Sequence, residues 1–351
     1  MNMDMLCRLW LTMLLATTVS GVYACDGCSA NLSIFNSELQ LNSGRHSIGV
    51  QDQTRFFSAT LHESMMDYLK GPNKTDDGHV HTEPQVETPY RQIQTTTDIR
   101  GTYYLRPKWS LMAIVPVTTK LLYSDDNQYR DGRKLEQHQG LGDVVLVAQY
   151  QALTEGRRLV ARKLQQRLVV GAGIKLPTGK YKEMGYDGLL RPDLQNGSGS
   201  VDFIATTNYI VRSKSWGATA MVSYKINTAN KLGYRFANSL NVDVRGFWFK
   251  EFKRVAIAPS TGVWVEQAGA NQITAATPEG PTGGLFLFGT VGFDLFKGNW
   301  GLNCLWRHPL AQQIAVNEQF GNVSGFQVGA KYAFDSKRLT KSTTTQNKQK
   351  I

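Results

Sequence analysis

Side chains of alternating character recur along most of this chain, and the last such segment shows the pattern most clearly. In F-Q-V-G-A-K-Y-A-F, residues 326–334, every second residue from Phe326 to Phe334 is apolar or aromatic. The residues between them are small or polar: Gln327, Gly329, Lys331 and Ala333. Because successive side chains of a β-strand point to opposite faces, this strand separates two environments. A soluble sandwich and a transmembrane barrel both satisfy that pattern.

About twelve segments of this kind can be marked, and an even number is what single-chain outer-membrane barrels require. They are predicted near residues 45–60, 92–105, 109–122, 142–152, 166–177, 199–212, 215–227, 238–251, 253–266, 283–297, 300–309 and 322–334. No internal run approaches the roughly 20 apolar residues of a membrane-spanning helix. A helical membrane protein is therefore excluded.

The connections between these segments decide between sandwich and barrel. Short turns such as R-P-K, S-K-S and K-G-N alternate with long connections, which are 62–91, 122–141, 178–197, 228–237, 267–282 and 310–321. Transmembrane barrels have tight periplasmic turns and longer external loops, whereas Greek-key sandwiches do not segregate loop length in this way. We therefore predict an all-β fold, a closed antiparallel transmembrane barrel with short periplasmic turns and long external loops.

Aromatic residues at the strand ends agree with a lipid-facing exterior. Trp109, Trp300 and Trp306 lie at or near strand ends, as the interfacial girdles of membrane barrels do. Cys304 shares a register with Trp300 and Trp306, so we expect it to point towards lipid. The predicted partners on this surface are outer-membrane lipids.

The N-terminus predicts export. Arg8 precedes the apolar run 9–19 and the sequence G-V-Y-A-C, which is typical of a secretory signal cut between Ala24 and Cys25. A lipoprotein cut would use the same bond and acylate Cys25, although Tyr23 favours plain secretion. The predicted organisation is a signal peptide at 1–24, a periplasmic segment at 25–44, an outer-membrane barrel at 45–334 and a basic polar tail at 335–351.

The formal net charge of +11 raises the question of nucleic-acid binding. The basic residues are scattered along the chain rather than gathered in one patch, and export argues against such a partner. We interpret the excess as solvated turns and a basic terminus. The predicted location is the outer membrane, with no nucleic-acid partner.

Charged and polar residues of both signs fall in the inward register. The tentative lumen or solute-path residues are Asp98, Arg100, Asp143, Lys175, Asp202, Asn208, Asp243, Arg245, Asp294 and Lys331, together with Gln149, Arg307 and Gln327. Buried charges must be paired or hydrated. They form either a structural ladder of ion pairs or a polar path that orients a small solute. Four apolar residues also face inward and either pack a constriction or seat an aromatic solute: Met112, Ile114, Phe286 and Phe288.

Two small clusters could hold a metal. Cys25 and Cys28 form C-D-G-C at the mature N-terminus, where a disulfide is the alternative. His79 and His81 lie among acidic residues on the first long loop, and imidazole suits zinc or copper. The two clusters lie on opposite sides of the membrane and cannot share one ion. A solvated loop is the alternative for the histidines, and the prediction is no cofactor apart from this zinc or copper hypothesis.

The segment G-I-K-L-P-T-G-K-Y, 173–181, departs from a phosphate-binding loop, because five residues separate its glycines and Tyr181 replaces the metal-binding Ser or Thr. No G-x-S-x-G nucleophile elbow is present. We therefore predict a protein that is not an enzyme, with no catalytic residues.

Three stretches resemble the MetA-pathway (meta-pathway) phenol-degradation family of outer-membrane transporters. They are G-L-G-D-V-V-L-V-A-Q-Y, G-A-G-I-K-L-P-T-G-K-Y and N-G-S-G-S-V-D-F, at 140–150, 171–181 and 196–203. The resemblance implies a barrel that lets small, often aromatic, molecules cross the outer membrane, and it brings no catalytic residues. The matched residues that look structural are Gly142, Pro177, Gly179, Gly197 and Gly199.

The terminal strand ending in an outward Phe334 also resembles the signal read by barrel-insertion machinery, although the tail after it departs from that pattern. The function we predict is a passive channel or transporter for small solutes, including aromatic or hydrophobic ones. The alternatives are a metal-binding or metal-uptake or efflux-associated outer-membrane protein, a closed structural barrel, and a barrel hydrolase.

Overall fold

The computed structural model describes residues 45–61, 88–124, 133–154, 164–185, 188–190, 192–274, 277–278, 283–314 and 321–335. These residues form eighteen β-strands: β1 (His46–Leu61), β2 (Thr88–Arg106), β3 (Trp109–Ser124), β4 (Arg133–Leu141), β5 (Val144–Thr154), β6 (Gln165–Leu176), β7 (Met184–Gly185), β8 (Gly188–Leu189), β9 (Asp202–Ser213), β10 (Trp216–Ile226), β11 (Ser239–Trp248), β12 (Lys250–Glu251), β13 (Ala256–Ala268), β14 (Gln272–Thr274), β15 (Thr277–Pro278), β16 (Gly284–Lys297), β17 (Trp300–Ile314) and β18 (Gly321–Phe334). Among these residues, none belongs to a helix long and apolar enough to cross a membrane.

The large sheet closes on itself. Its order is β11-β10-β9-β6-β5-β3-β2-β1-β18-β17-β16-β13, and β11 also pairs with β13. β4 and β5 both pair with β3 and are separated only by Gly142 and Asp143, so they form one interrupted barrel strand. With that strand counted once and the two-residue β12 left out, twelve antiparallel strands form the barrel. The predicted fold is confirmed.

The first and last barrel strands pair directly. His46 lies opposite Phe334 and Ser58 lies opposite Gly321, with an irregularity between Phe56 and Phe57. The segment quoted from the end of the sequence therefore closes the barrel, as predicted.

The connections have the predicted asymmetry within the described chain. Two-residue turns join β2 to β3, β9 to β10 and β16 to β17, at 107–108, 214–215 and 298–299. At the same end, the Arg45 guanidinium lies 3.0 Å from the Asp335 carboxylate. This ion pair joins the residue before β1 to the residue after β18. Long connections such as that between β6 and β9 lie at the opposite end.

The strands β4 and β17 correct two predictions. Residues 133–141 were expected to lie in the long loop 122–141, and β17 was expected to end near residue 309, whereas it continues to Ile314. Both extensions lie at the long-loop end of the barrel. A strand that rises beyond the bilayer meets water on both faces, so its sequence needs no alternation of apolar and polar residues.

The barrel wall has polar side chains on its inner face and apolar side chains on its outer face, which is the reverse of a soluble protein. On β11, Asn241 and Asp243 point inward and are 0% and 1% exposed, whereas Val244 points outward and is 44% exposed. Aromatic pairs mark the short-turn end, since the ring centroids of Trp109 and Tyr150 lie 4.8 Å apart. An apolar exterior, an aromatic border and a polar interior place this closed barrel in the outer membrane.

Candidate functional site in the lumen

The ten predicted lumen residues all lie on inward positions of the barrel. Seven are buried, namely Asp98, Asp143, Asp202, Asn208, Asp243, Arg245 and Asp294. Three are partly buried, namely Arg100, Lys175 and Lys331. This placement describes where the side chains lie, and their part in solute passage is taken up below as a proposal.

Two of the charge pairs are local. Arg100 Nη2 lies 2.7 Å from Asp98 Oδ2, and Arg245 Nε lies 3.0 Å from Asp243 Oδ2. Each pair joins inward residues two apart on one strand. A buried charge is tolerated when it is paired in this way.

A third group joins three different parts of the chain. Lys175 Nζ lies 3.2 Å from Asp143 Oδ2 and also contacts Asp202 Oδ2 and the Ser198 hydroxyl. Ser200 Oγ donates to Asp202 Oδ1 over 2.9 Å. We call Asp143, Lys175, Ser198, Ser200 and Asp202 the ion cluster. Asn208, Asp294 and Lys331 lie on β9, β16 and β18 and are not members of it.

Asp143 links the ion cluster to two glycine-rich turns. Its Oδ1 accepts from the Gly179 amide over 3.0 Å, and its Oδ2 accepts from the Ser198 amide over 2.8 Å. Asp143 itself follows Gly142 in the break between β4 and β5. All three stretches that carry the family resemblance therefore meet at this carboxylate.

The two turns are interlocked at Gly179 and Gly197. A Cβ atom at Gly197 would lie 2.3 Å from the Gly179 carbonyl oxygen, and a Cβ at Gly179 would lie 2.7 Å from the Gly197 Cα. Neither position accepts a side chain without a backbone shift. Thr178 closes the group, because its Oγ1 donates to the Gly142 carbonyl over 3.0 Å and accepts from the Val144 amide over 2.9 Å.

Part of the connection between β6 and β9 folds into the barrel. Residues 193–198 are all buried, and we call residues 192–198 the lumen loop. Lys120 Nζ donates to the carbonyls of Asp193 and Gln195, each over 2.6 Å. Thr118 Oγ1 donates to Asn196 Oδ1 over 2.6 Å. A lysine on the wall therefore satisfies backbone acceptors of the loop.

Sequence reasoning missed the lumen loop and its partners. The segment 178–197 was predicted as a long external loop. Lys120 could have been found, because it continues the inward register of Met112 and Ile114 along β3. Nothing in the polar sequence of the loop indicates that it turns inward.

Apolar residues cross the middle of the lumen. Contributions from β3, β5, β9, β10, β13 and β16 form one buried cluster, which we call the apolar belt: Met112, Ile114, Val147, Ile204, Met221, Trp264, Phe286 and Phe288. The four residues predicted to face inward are all members. They therefore pack in one cluster with side chains from other strands inside the barrel.

A cross-lumen ion pair was also missed. Arg55 Nη2 on β1 lies 2.8 Å from Glu266 Oε2 on β13, and both residues are buried. The Arg307 guanidinium lies 4.1 Å from the centre of the Trp264 ring, at a cation–π distance. Arg55 belongs to the faint first segment, where no inward register could be assigned with the sequence alone.

The predicted metal sites are not tested by this structure. Cys25, Cys28, His79 and His81 lie outside the described residues, as does the cleavage site between Ala24 and Cys25. Within the described ranges, no three His, Cys, Asp or Glu residues lie close enough to hold a metal. Cys304 is a free thiol on an outward position of β17 and is half-buried.

Three known structures are similar to this chain, and the first of them agrees with the fold. An outer membrane channel from Pseudomonas putida F1 is 15% identical, with a TM-score of 0.55, over 84% of this chain and 97% of that chain. The translocator domain of the autotransporter NalP from Neisseria meningitidis is 11% identical, with a TM-score of 0.40, over 87% and 94% of the two chains. The deltaS2S3 mutant of the monoaromatic hydrocarbon channel TodX is 11% identical, with a TM-score of 0.39, over 90% and 96%.

A search of curated proteins gave no match. The model of one protein family matches residues 90–312, which is more than half of the 351 residues and includes all three motifs that meet at Asp143. The chain therefore belongs to the family described as "Putative MetA-pathway of phenol degradation".

Proposed function

We propose that this barrel is a passive channel for small, uncharged and largely apolar solutes, and that it performs no covalent chemistry. The apolar belt is the observation that carries the proposal. A charged solute crossing the belt would lose its hydration without gaining a partner, at a cost of several kcal/mol. An uncharged solute with an apolar ring pays far less and gains contact with Trp264, Phe286 and Phe288.

The position of the lumen loop sets a second condition for passage of the solute. It lies in the lumen on the long-loop side of the belt, where Lys120 and Thr118 hold it against β3. In this proposal a solute enters from the long-loop side by displacing the loop, and then passes the belt. Hydrogen bonds from wall to loop would set how readily that happens.

One comparison supports a channel, and another supports an aromatic solute. The structure from Pseudomonas putida F1 is named as an outer membrane channel, and the family description refers to phenol degradation.

The outward Phe334 at the end of β18, with 42% of its surface exposed, is also consistent with recognition by barrel-insertion machinery.

Swelling of proteoliposomes tests the proposal. Nicotinamide, an uncharged ring, should enter faster than erythritol, an aliphatic polyol, after subtraction of the rate for protein-free liposomes. Phe288→Ala should open the belt and raise the erythritol rate severalfold, so that the preference falls. Phe293→Ala is the matched control, because Phe293 lies on the same strand but points outward.

Two results would contradict the proposal. If neither solute enters faster than in protein-free liposomes, the alternative of a closed structural barrel is favoured. If erythritol enters wild-type proteoliposomes as fast as nicotinamide, the apolar belt does not select the solute. The metal-binding alternative stays a prediction on residues outside the described chain.

A further inference from the structure

Small residues leave a groove on the lipid-facing surface of the barrel. Gly101, Ala113, Ala148 and Ala172 lie on four successive strands of the wall, β2, β3, β5 and β6, and all four line it. Gly101 lies opposite Ala113, and Ala148 lies opposite Ala172. A Cβ atom at Gly101 would have no atom of the described chain within 4 Å apart from its own neighbours in sequence. The surface is therefore open above these residues.

Large apolar side chains flank the small ones and can be reached from the membrane. Ile48 of β1 and Phe203 of β9 line the groove on its two sides and have 55% and 51% of their surface exposed. The groove has a volume of about 850 Å³, within the range of about 300–1,000 Å³ that is typical of sites for small organic ligands. We call it the wall groove. A ligand from the bilayer reaches it without entering the barrel.

The wall groove lies in the half of the bilayer next to the short turns. Trp109 of β3 and Tyr150 of β5 lie opposite each other in the aromatic border of that end. The next outward pair on the same two strands, Leu111 and Ala148, lines the groove. Short turns of outer-membrane barrels face the periplasm, and the leaflet on that side consists of phospholipids. The groove therefore meets the acyl chains of phospholipids.

Two basic side chains lie at the level of the phospholipid headgroups. Arg106 lies opposite Trp109, and Lys108 belongs to the two-residue turn between them. Both side chains are exposed. A lysine or arginine near the membrane surface attracts anionic headgroups. A phosphate bound here would lie at the interface, with its acyl chain directed along the wall towards the groove.

A second copy of this chain fits the wall groove less well. Two copies that span the membrane in the same direction and meet about a two-fold axis would place groove against groove. Arg106 and Lys108 of one copy would then approach the same residues of the other. Such a contact neither fills the groove nor neutralises the basic side chains, whereas a phospholipid does both.

We propose that the wall groove is a binding site for an anionic phospholipid of the periplasmic leaflet. One acyl chain packs on Gly101, Ala113 and Ala148, and the phosphate binds Arg106 and Lys108. The site lies on the outside of the barrel, so lipid binding does not depend on the proposed passage of solutes.

Native mass spectrometry of the delipidated full chain in detergent tests the site with two probes. Phosphatidylglycerol and diacylglycerol with the same acyl chains differ only in the phosphate-containing headgroup. The protein should bind one molecule of phosphatidylglycerol more tightly than diacylglycerol, by about fivefold for each basic residue that contacts the headgroup.

Gly101→Leu fills the wall groove and should weaken the binding of both lipids severalfold. Gly246→Leu is the matched control, because Gly246 is an exposed, outward glycine of β11 on the opposite side of the barrel. A Cβ atom at Gly246 would likewise meet no described atom within 4 Å beyond its neighbours in sequence. Leucine suits a strand better than glycine, so both variants should fold.

Arg106→Gln combined with Lys108→Gln should weaken the binding of phosphatidylglycerol to the level of diacylglycerol and leave diacylglycerol binding unchanged. Lys253→Gln combined with Arg254→Gln is the control. These two exposed basic residues lie between β12 and β13, also on the opposite side of the barrel.

Three results would overturn the inference. They are equal binding of the two lipids, equal effects of Gly101→Leu and Gly246→Leu, and a wild-type dimer that Gly101→Leu converts to a monomer. The dimer result would assign the wall groove to a second copy of the chain. The entry of nicotinamide into proteoliposomes is measured separately, so failure of this site and failure of the proposed channel are distinguishable.

Discussion

The two sides of the lumen use their polar side chains differently. On the motif side, formed by β3 to β6, Lys120 and Asp143 bind backbone groups of the lumen loop. On the opposite side, formed by β11 to β18, Asp243 pairs with Arg245 of its own strand, and Arg307 lies over Trp264. The motif side therefore holds a segment that could move, whereas the opposite side stabilises only the wall.

The largest effect is expected from Asp143→Ala. This substitution leaves Lys175 without one partner and two amides of the interlocked turns without an acceptor. Loss of one partner of a buried ion pair costs about 3–5 kcal/mol, so the free energy of unfolding in urea should fall by that amount. Amide hydrogen exchange in residues 192–198 should become much faster.

Asp243→Ala breaks a buried pair on the opposite side and is the matched control. Its free energy of unfolding should fall by a similar amount, about 3–5 kcal/mol, but exchange in residues 192–198 should stay close to wild type. If both variants release the lumen loop equally, the distinction between the two sides is wrong.

Lys120→Met should have an intermediate effect. Methionine keeps most of the apolar stem of the side chain but leaves the carbonyls of Asp193 and Gln195 without their donor, which costs about 1–3 kcal/mol. The measurement is again urea unfolding together with hydrogen exchange of the lumen loop. Lys331→Met, on β18, should leave exchange in the loop unchanged, and the contrary result would show that the loop responds to any lost charge.

Thr118→Val should have the smallest effect, about 1 kcal/mol, because it removes one side-chain hydrogen bond to Asn196. Thr290→Val is its counterpart on β16. The Thr290 hydroxyl is buried and has no hydrogen-bond partner in the described chain, so its removal should be neutral or slightly stabilising. Equal losses in melting temperature for the two variants would contradict this.

The inward register and the local pairs of the opposite side could be predicted from the sequence, whereas contacts between distant segments could not. Alternation at Asn241 and Asp243 reports which face of β11 meets lipid and which meets the polar lumen. The pair Asp243–Arg245 follows at once, since inward residues two apart on one strand are neighbours. A period of two therefore carries both the fold and the local ion pairs.

The lumen loop lacked any such signal. Its position depends on contacts between residues far apart in the chain, such as Lys120 with Asp193, and on the fit of Gly179 against Gly197. Polar loop residues have the same composition whether they meet water outside the barrel or polar groups inside it. The family resemblance identified the glycine-rich turns that build this contact. It did not indicate that these turns hold the lumen loop inside the barrel.

The central claim is that a solute passes through the lumen by displacing the lumen loop, and a reversible metal bridge tests it most directly. In a background with Cys25, Cys28 and Cys304 replaced by serine, Thr118→Cys and Asn196→Cys place two thiols where the native side chains are hydrogen-bonded. Cd²⁺ should bridge them and hold the loop against β3. The account predicts that Cd²⁺ abolishes nicotinamide entry into proteoliposomes, that a chelator restores it, and that neither single-cysteine variant responds. Unchanged entry with the bridge formed would contradict it.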